Sequence, residues 1–337
     1  MSGQPSKPTP RIVLEALQAF QLTAALTAAI EFDLFSAIAE GSVTVQALSG
    51  RLAAAERGVR ILCDFLVIHG LLTKKGDQYG LTPESKAFLD RKSPTYIGGV
   101  TRFLAHPERL RSYENVTEAV RRGGTAMKGG GSIAPENPLW VEFARGMAAI
   151  SRPNADFIAG LVGASGGPIK VLDIAAGHGL YGITLARKDP AAEIYALDWP
   201  QVLEVALANA RQAGVAERYH LIPGSAFEVD LESGYDLVLL TNFLHHFDEA
   251  TCTNFLRRVH GALREEGRAV TLEFVPNEDR VSPKEAAAFS FTMLNGTPAG
   301  DAYTFRQLDC MLRQAGFSRS EIHAVPGSPQ QVILSFR

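Results

Sequence analysis

The sequence predicts an α/β fold in which a Rossmann-like, doubly wound sheet of seven strands follows a mainly helical N-terminal region. From residue 169 onward, short apolar runs alternate with segments of helical periodicity, which is the pattern of a parallel sheet with helices on both faces. The first apolar run, Ile169 to Ile174, leads into Gly177-x-Gly179-x-x-Gly182. This spacing is typical of a strand, turn and helix that approach a nucleotide closely.

The strands are predicted in order along the second half of the chain, with helices between the first five, at 169–174, 193–197, 219–222, 235–240, 268–274, 318–325 and 330–336. The last two are joined by a short segment that contains Pro326-Gly-Ser-Pro and has no room for a helix. Such a link makes a hairpin, so we expect the last strand to be antiparallel.

The N-terminal half predicts a tail and two helical regions. Residues 1–10 contain three prolines and are expected to be disordered, residues 11–98 form a winged helix, and residues 99–165 form a further helical region before a domain at 166–337. Helices are predicted at 11–31, 33–39, 46–52 after an N-capping Thr44, and 56–69. Two short strands around Gly76-Asp77 form the wing, and Ala164-Ser-Gly-Gly-Pro is the predicted linker.

Composition limits the functional classes. The chain has 337 residues, enough for two domains, and 46% of them are hydrophobic, so a sizeable core is expected. The net charge of −3 disfavours a dedicated nucleic-acid binder, and Arg57 and Arg60 on the candidate recognition helix are offset by Glu56 and Asp64.

The cysteine pattern and the apolar segment near the N-terminus predict a cytoplasmic protein without a membrane span. The three cysteines are far apart and have no metal-binding spacing, which predicts reduced thiols in the cytoplasm. We expect no signal peptide. The apolar segment Ile12 to Ile38 is interrupted by charged and polar residues, which favours a core or interface helix over a membrane span.

Polar or glycine-rich segments follow five successive strands of the predicted sheet. They are Asp173 to Gly179, Asp198, Gly224 to Phe227, Asn242 to His246, and Glu273. Ligands of open α/β sheets bind beyond the carboxyl ends of the strands. Each segment alone is compatible with an ordinary loop, but five in order predict a binding site.

Each cofactor-side residue has a functional and a structural interpretation. Gly177 and Gly179 are predicted to allow close backbone approach, and Asp173 to act on a cofactor indirectly or simply to cap backbone amides. Asp198 is predicted to hold a ribose diol, the alternative being a helix cap. Trp199 and Phe227 either pack on an adenine or belong to the core. His178 is expected to be exposed.

His245 is the candidate general base because it lies just past the fourth strand. An imidazole has a pKa of about 6.5 and accepts a proton near neutral pH. A phenol has a pKa of about 10 and therefore needs a base when it attacks a sulfonium methyl. His246 is the less favoured base or an orienting neighbour.

These segments resemble the small-molecule O-methyltransferases of the caffeate, hydroxyindole and bacterial polyketide-tailoring type, and the resemblance covers nearly the whole chain. A seven-stranded sheet with a reversed last strand is also typical of class I methyltransferases, whereas dinucleotide dehydrogenases typically end parallel. Leu240 to Cys252 matches the family's Leu-x-x-x-x-His-Asp-Trp-x-Asp-Glu-x-Cys stretch. His246 and Phe247 replace its aspartate and tryptophan.

The resemblance implies S-adenosylmethionine as cofactor, with residues 166–337 as the domain that binds it and no metal ion. It makes His245 the base and Glu273 its orienting carboxylate, while Asp301 lies one residue from the position of a second such carboxylate. Ser225 replaces an aspartate that accepts from the adenine amino group. The implied cofactor contacts also include Ser151, Ala226, Phe227 and Asn242.

The resemblance further implies that residues 99–165 cover a small-molecule acceptor and that residues 11–98 form a homodimer. The acceptor contacts it implies are Phe143, Met147, Phe289, Met293 and Asn295. Three alternatives stay open: transfer to a sulfur, nitrogen or carbon acceptor, a DNA-binding regulator that senses the cofactor, and a nicotinamide-dependent reductase.

Overall fold

The computed structural model describes residues 8–135, 137–163 and 169–337. Contacts divide the chain into two compact units, residues 1–105 and 106–337. The predicted linker at 164–168 and most of the predicted tail lie outside the described residues. The domain boundaries at 98/99 and 165/166 stay predictions.

The first unit contains helices and one two-stranded sheet. Its elements are α1 (Arg11–Glu31), α2 (Leu34–Ala39), α3 (Val45–Leu52), α4 (Glu56–Ile68), β1 (Leu72–Lys75), β2 (Gln78–Leu81), α5 (Pro83–Phe88) and α6 (Thr101–Leu104), the last preceded by a 3₁₀ turn at Gly98–Val100. The predicted cap is confirmed, because Thr44 Oγ1 accepts the Ala47 N–H at 3.3 Å. β1 and β2 pair antiparallel as the predicted wing.

Charge on α4 is locally balanced. Asp64 accepts from Arg60 at 3.1 Å, from Lys74 at 2.5 Å and from the Tyr79 hydroxyl at 2.8 Å. These interactions pair Arg60 of α4 and Lys74 of the wing with Asp64, so this helix presents no basic excess of the kind that binds phosphates.

α1 carries an exposed apolar surface. Ile12, Leu17 and Phe20 are 76%, 68% and 69% exposed, whereas only Ala29 and Ile30 are buried. By length and composition alone α1 is able to cross a membrane, a test that core helices and signal sequences also pass.

Among its described residues, the second unit contains the large sheet and eight helices. The helices are α7 (Pro107–Ser112), α8 (Val116–Arg122), α9 (Leu139–Val162), α10 (Leu180–Lys188), α11 (Pro200–Gln212), α12 (Glu249–Ala262), α13 (Lys284–Gly296) and α14 (Phe305–Gln314). The strands are β3 (Ile169–Ile174), β4 (Ala192–Asp198), β5 (Tyr219–Pro223), β6 (Tyr235–Thr241), β7 (Leu263–Glu273), β8 (Arg319–Ala324) and β9 (Gln331–Phe336). Short 3₁₀ turns lie at Tyr113–Asn115, Lys128–Ile133, Ala216–Arg218 and Leu244–His246.

The seven strands have the order β5-β4-β3-β6-β7-β9-β8. The pairs from β5 to β7 are parallel, and β9 is antiparallel to both β7 and β8. The reversed last strand is therefore confirmed. A short link joins neighbouring strands only when they run in opposite directions, which is why the Pro326 turn imposes this arrangement.

The expectation of a helix between every pair of the first five strands is wrong at one place. Residues 224–234, all of them described, contain no helix between β5 and β6. This connection runs from β5 past β4 and β3 to β6, a distance of about 14 Å at the usual strand spacing. The segment is short, and it uses its length to span this distance. Arg258 on α12 instead holds it by donating to the Ala226 and Val229 carbonyls at 2.8 and 2.6 Å.

Candidate active site

The carboxyl ends of β3, β4, β5, β6 and β7 lie on the same edge of the sheet, because these strands are parallel. The five segments singled out in the sequence therefore come together along this edge. The helix α9 and the helix α13 supply the remaining predicted side chains.

The glycine turn after β3 needs a backbone that other residues adopt with strain. Gly177 and Gly179 have φ of 58° and 75°. A Cβ at Gly179 would lie 2.5 Å from the Tyr219 hydroxyl, so that position has no room for a side chain. Gly177 lies beside Phe143 of α9, whose ring would be 3.6 Å from an added Cβ.

Asp198 at the end of β4 organises this turn. Its Oδ2 accepts the Gly177 N–H at 2.8 Å and its Oδ1 accepts the Trp199 N–H at 2.7 Å. Burial raises the pKa of Asp198 from its usual 3.8 to about 6, although these two donors act in the opposite direction. Trp199, half-buried, begins the turn into α11.

Asp173 lies beneath the turn and is fully buried. Its Oδ2 accepts the Gly182 N–H at 3.2 Å, while its Oδ1 has no hydrogen-bond partner among the described residues. Burial raises the pKa of Asp173 from 3.8 to about 8, with the charge of Asp198 adding to the shift. At neutral pH the group is therefore mostly protonated.

The expectation that His178 is exposed is wrong. The side chain is 2% exposed, its Nδ1 accepts the Leu180 N–H at 3.2 Å, and its ring stacks on Phe143 with centroids 6.3 Å apart. Burial lowers the pKa of His178 to about 4. Helix α9 covers the turn, and sequence periodicity does not reveal such tertiary cover.

The loop after β5 presents an aromatic face. Ser225 Oγ accepts the Phe227 N–H at 3.3 Å, and Ala226 is buried. The Phe227 ring is 40% exposed and lies 4.8 Å from the ring of Phe247 and 5.0 Å from that of Phe255. A cavity of about 320 Å³ opens between Phe227, Phe247 and His246.

His245 and Glu273 form a buried pair, 4% and 3% exposed. His245 Nδ1 lies 2.5 Å from Glu273 Oε2. The other carboxylate oxygen accepts the backbone N–H groups of Phe243, Leu244 and His245 at 3.1, 2.9 and 3.4 Å. One carboxylate thus fixes both the turn that carries the histidine and the direction of its ring.

Neighbouring groups complete this turn. Cys252 on α12 donates its S–H to the Leu244 carbonyl at 3.1 Å. The His246 ring lies 4.3 Å from that of His245 and edge-on to Trp140 at 5.3 Å. Burial lowers the pKa of His246 well below its usual value, with His245 adding to the shift. His246 is therefore neutral at physiological pH.

Helix α13 presents Phe289 to His245. The Phe289 ring meets His245 edge-on at 4.9 Å and stacks on Phe274 at 4.0 Å. Met293 is buried, and Asn295 Nδ2 donates to Ser112 Oγ of α7 at 2.7 Å. Of the predicted acceptor contacts, Phe289 is thus next to His245, while Asn295 joins two helices. Met147 is half-buried on α9.

Both carboxylate oxygens of Asp301 have partners other than His245. Its carboxylate pairs with Arg280, and its Oδ1 accepts the Ala302 N–H at 2.8 Å. These contacts direct both oxygens away from a role as a second orienting group for His245.

Sequence reasoning predicted only two members of a polar cluster at α9, Ser151 and Asn242, and missed Asn154, Tyr181 and Gln330. Ser151, Asn154 and Asn242 lie beside the buried hydroxyl of Tyr181, and Gln330 bonds two of these residues. The Tyr181 hydroxyl has no hydrogen-bond partner among the described residues. Asn242 has φ of 57°, a left-handed conformation that asparagine tolerates. The sequence resemblance pointed to Ser151 and Asn242, and no sequence pattern pointed to the other members.

Comparison with known proteins identifies the family. A model of the O-methyltransferase domain matches residues 136–318, and a model of the O-methyltransferase dimerisation domain matches residues 14–91. The chain belongs to the O-methyltransferase family. It is an S-adenosylmethionine-dependent methyltransferase.

Individual relatives agree with this assignment. The 3-hydroxy-5-methyl-1-naphthoate 3-O-methyltransferase of Streptomyces sahachiroi is 30% identical over 96% of this chain and 94% of its own length. A protein from Nostoc punctiforme, described provisionally as an O-methyltransferase, has a crystal structure with a TM-score of 0.95 at 48% identity, covering 98% of this chain and all of that one. Human N-acetylserotonin methyltransferase in complex with S-adenosylmethionine shares the fold, with a TM-score of 0.84 at 23% identity over 99% of both chains.

The residues at the sheet edge of the methyltransferase fit its cofactor. The left-handed glycine turn permits close approach, the Asp198 carboxylate lies next to it, and Phe227 offers an exposed ring. The unpartnered Tyr181 hydroxyl adds a buried polar group that a ligand would satisfy. Within the described residues, no group of three His, Cys, Asp or Glu side chains is arranged to hold a metal ion.

Proposed function

We propose that the enzyme methylates a hydroxyl of a small aromatic or polyketide-like metabolite, with His245 as general base and Glu273 as its orienting carboxylate. The observation that carries the proposal is the buried His245–Glu273 pair, 2.5 Å apart at the edge of the sheet beside the glycine turn. When bound, S-adenosylmethionine supplies a methyl group activated by its sulfonium charge.

The pair sets the direction of proton transfer. The Glu273 carboxylate accepts the N–H of His245 Nδ1, and so Nε2 carries the lone pair. The acceptor hydroxyl gives its proton to Nε2 as its oxygen attacks, and the carboxylate then stabilises the imidazolium. The neutral His246 beside it adds no positive charge that would oppose this protonation.

Aromatic and thioether side chains support a flat acceptor. Phe289 lies next to the base, and Trp140 packs edge-on to Phe143 at 5.6 Å on α9. Met147 and Met293 are adaptable apolar contacts. The name of the Streptomyces relative describes a naphthoate hydroxyl as its acceptor, and the same chemical class is the one we propose for this chain.

The same proposal assigns the cofactor contacts. Asp198 would accept from the ribose diol, the turn at Gly177 and Gly179 would allow close approach, and Asp173 would support that turn. The remaining proposed contacts are Ser151, Trp199, Ser225, Ala226, Phe227 and Asn242. Phe143, Met147, Phe289, Met293 and Asn295 are the proposed acceptor-side residues.

The test is methyl transfer from labelled cofactor to a panel of phenols, thiols and amines, including a hydroxynaphthoate. We expect His245→Ala to lower kcat on the best phenol by about 10²- to 10⁴-fold while S-adenosylhomocysteine binds as in the wild type. His220→Gln, an exposed histidine paired with Glu193, is the matched control and should keep full activity.

Two outcomes would contradict the proposal. Undiminished turnover in His245→Ala would remove the general base. Faster transfer to a thiol than to any phenol would favour the sulfur acceptor, since a thiol has a pKa of about 8.5 and depends less on a base.

We further propose a homodimer built on α1. The dimerisation-domain match at 14–91 includes most of this helix, and its apolar side chains are exposed in the single chain. Leu17→Asp with Phe20→Asp should shift the mass measured by light scattering from dimer to monomer. Val281→Asp, at a 73% exposed apolar residue of the second unit, should leave it unchanged. A monomeric wild type would refute the proposal.

A cytoplasmic location is proposed as well. All three cysteines are described and none is in a disulfide, with Cys63 and Cys252 buried and Cys310 exposed. Free thiols persist in reducing compartments. Recovery of the enzyme in a membrane or secreted fraction would contradict this location.

A further inference from the structure

A row of three side-chain amides connects three separate parts of the second unit. Asn154 on α9 donates Nδ2 to Gln330 Oε1 at 2.7 Å, and Gln330 donates Nε2 to Asn242 Oδ1. Gln330 stands at the end of the turn between β8 and β9, and Asn242 directly follows β6. Asn154 and Gln330 are 5% and 7% exposed, so these bonds form away from solvent.

Gln330 thereby fixes the orientation of both neighbouring amides. Gln330 donates to Asn242 Oδ1, so the Asn242 amide nitrogen and its two hydrogens point away from Gln330. Gln330 accepts from Asn154 Nδ2, so the Asn154 side-chain oxygen points away from Gln330. A side-chain amide has one accepting and one donating end, so the row selects a donor at Asn242 and an acceptor at Asn154.

A third buried group lies against the same amides. The Tyr181 hydroxyl is close to Ser151, Asn154 and Asn242 but has no hydrogen-bond partner in the part of the chain that the structure describes. A buried hydroxyl without a partner is costly. The cluster therefore offers the Asn242 N–H groups and the Tyr181 hydroxyl as donors and the Asn154 oxygen as an acceptor. These groups suit a ligand end that carries a negative and a positive charge.

We propose that Gln330 is a positioning residue for the cofactor: it holds Asn154 and Asn242 in the orientation that receives the amino acid end of S-adenosylmethionine. That end carries a carboxylate, which needs donors, and an ammonium, which needs acceptors. The inference rests on the use of this cofactor by the enzyme. It gives the terminal hairpin, far along the chain from the glycine turn, a direct part in binding.

The test compares two ligands that differ only in this end. S-Adenosylhomocysteine has the amino acid end, whereas 5′-methylthioadenosine lacks it, and both are titrated by calorimetry into the full chain. We expect Gln330→Ala to weaken S-adenosylhomocysteine about tenfold and to leave 5′-methylthioadenosine within about twofold of wild type.

Two further variants separate positioning from general damage. Gln330→Glu keeps the size of the side chain and accepts from Asn154, but as a carboxylate it cannot donate to Asn242, so we expect a similar selective loss. Gln331→Ala is the matched control, because Gln331 is the next residue and donates to the Val275 carbonyl at 3.1 Å instead. It should bind both ligands as the wild type does.

The inference is overturned if both Gln330 variants bind S-adenosylhomocysteine normally, if the two ligands weaken equally, or if Gln331→Ala shows the same loss. A wild-type enzyme that binds 5′-methylthioadenosine but not S-adenosylhomocysteine would overturn it too. A wild type that binds neither ligand would instead contradict the use of the cofactor.

Discussion

Glu273 on β7 and Asp173 on β3 are both buried carboxylates on strands that flank β6, yet their surroundings differ. Glu273 accepts from three backbone N–H groups and the His245 ring. Asp173 accepts from one backbone N–H, and burial raises its pKa to about 8. Burial is similar at the two places, so the two sites differ in the number of hydrogen-bond donors that face each carboxylate. In the proposed mechanism Glu273 orients His245, whereas Asp173, mostly protonated at neutral pH, supports the glycine turn.

Glu273→Gln tests the carboxylate with the larger number of donors and should have the largest effect. The amide Nε2 would face His245 Nδ1 and force the imidazole into the tautomer with a proton on Nε2, where the base is needed. We expect kcat to fall about 10³- to 10⁴-fold, as for other wrong-tautomer variants. S-Adenosylhomocysteine affinity should stay near the wild-type value by calorimetry.

Glu278→Gln is the control for Glu273→Gln, because Glu278 is half-exposed and pairs with Arg306. It should keep wild-type kcat. A Glu273→Gln enzyme with more than about a tenth of the wild-type kcat would show that the carboxylate does not set the tautomer.

Asp173→Asn tests the neutral member. Because the folded-state pKa is raised, wild-type stability from this group is fully present below pH about 4 and is lost as the pH rises through about 8. An asparagine has no such dependence. Between pH about 4 and 8, the free energy of unfolding of the variant should therefore rise relative to that of wild type by a few kcal/mol, the order of magnitude set by the pKa shift of Asp173. Denaturant unfolding at several pH values measures it, and parallel curves for the two proteins would contradict it.

Asp198→Asn tests an intermediate case, a partly buried carboxylate with two backbone donors. An amide accepts with one oxygen only, so we expect about tenfold weaker binding of S-adenosylhomocysteine. Burial raises the pKa of Asp198 to about 6, so wild-type affinity should fall as the pH drops through about 6 while the variant shows little change. Asp230→Asn, at an exposed residue that caps the Glu232 N–H, is the control. An unchanged affinity in Asp198→Asn would refute the ribose role.

These carboxylates also show what a sequence reveals and what it does not. Strand order and glycine spacing predicted that the edge would carry Asp173, Asp198 and Glu273, because parallel strands place their carboxyl ends together. The burial of His178 was not predicted, because it depends on the cover that α9 provides. The bond between Asn154 and Gln330 joins residues 176 positions apart, and no local pattern records such a contact.

Asp301→Asn should have the smallest effect. Asp301 pairs with Arg280 near the surface, and surface ion pairs contribute about 0–1 kcal/mol. We expect kcat and KM within about twofold of wild type, since Glu273 alone contacts His245 Nδ1 among the described residues. Initial rates on the best phenol measure this, with Glu273→Gln as the sensitive reference. A loss comparable to that of Glu273→Gln would show that Asp301 moves to the imidazole during the reaction, and would return the site to two orienting carboxylates.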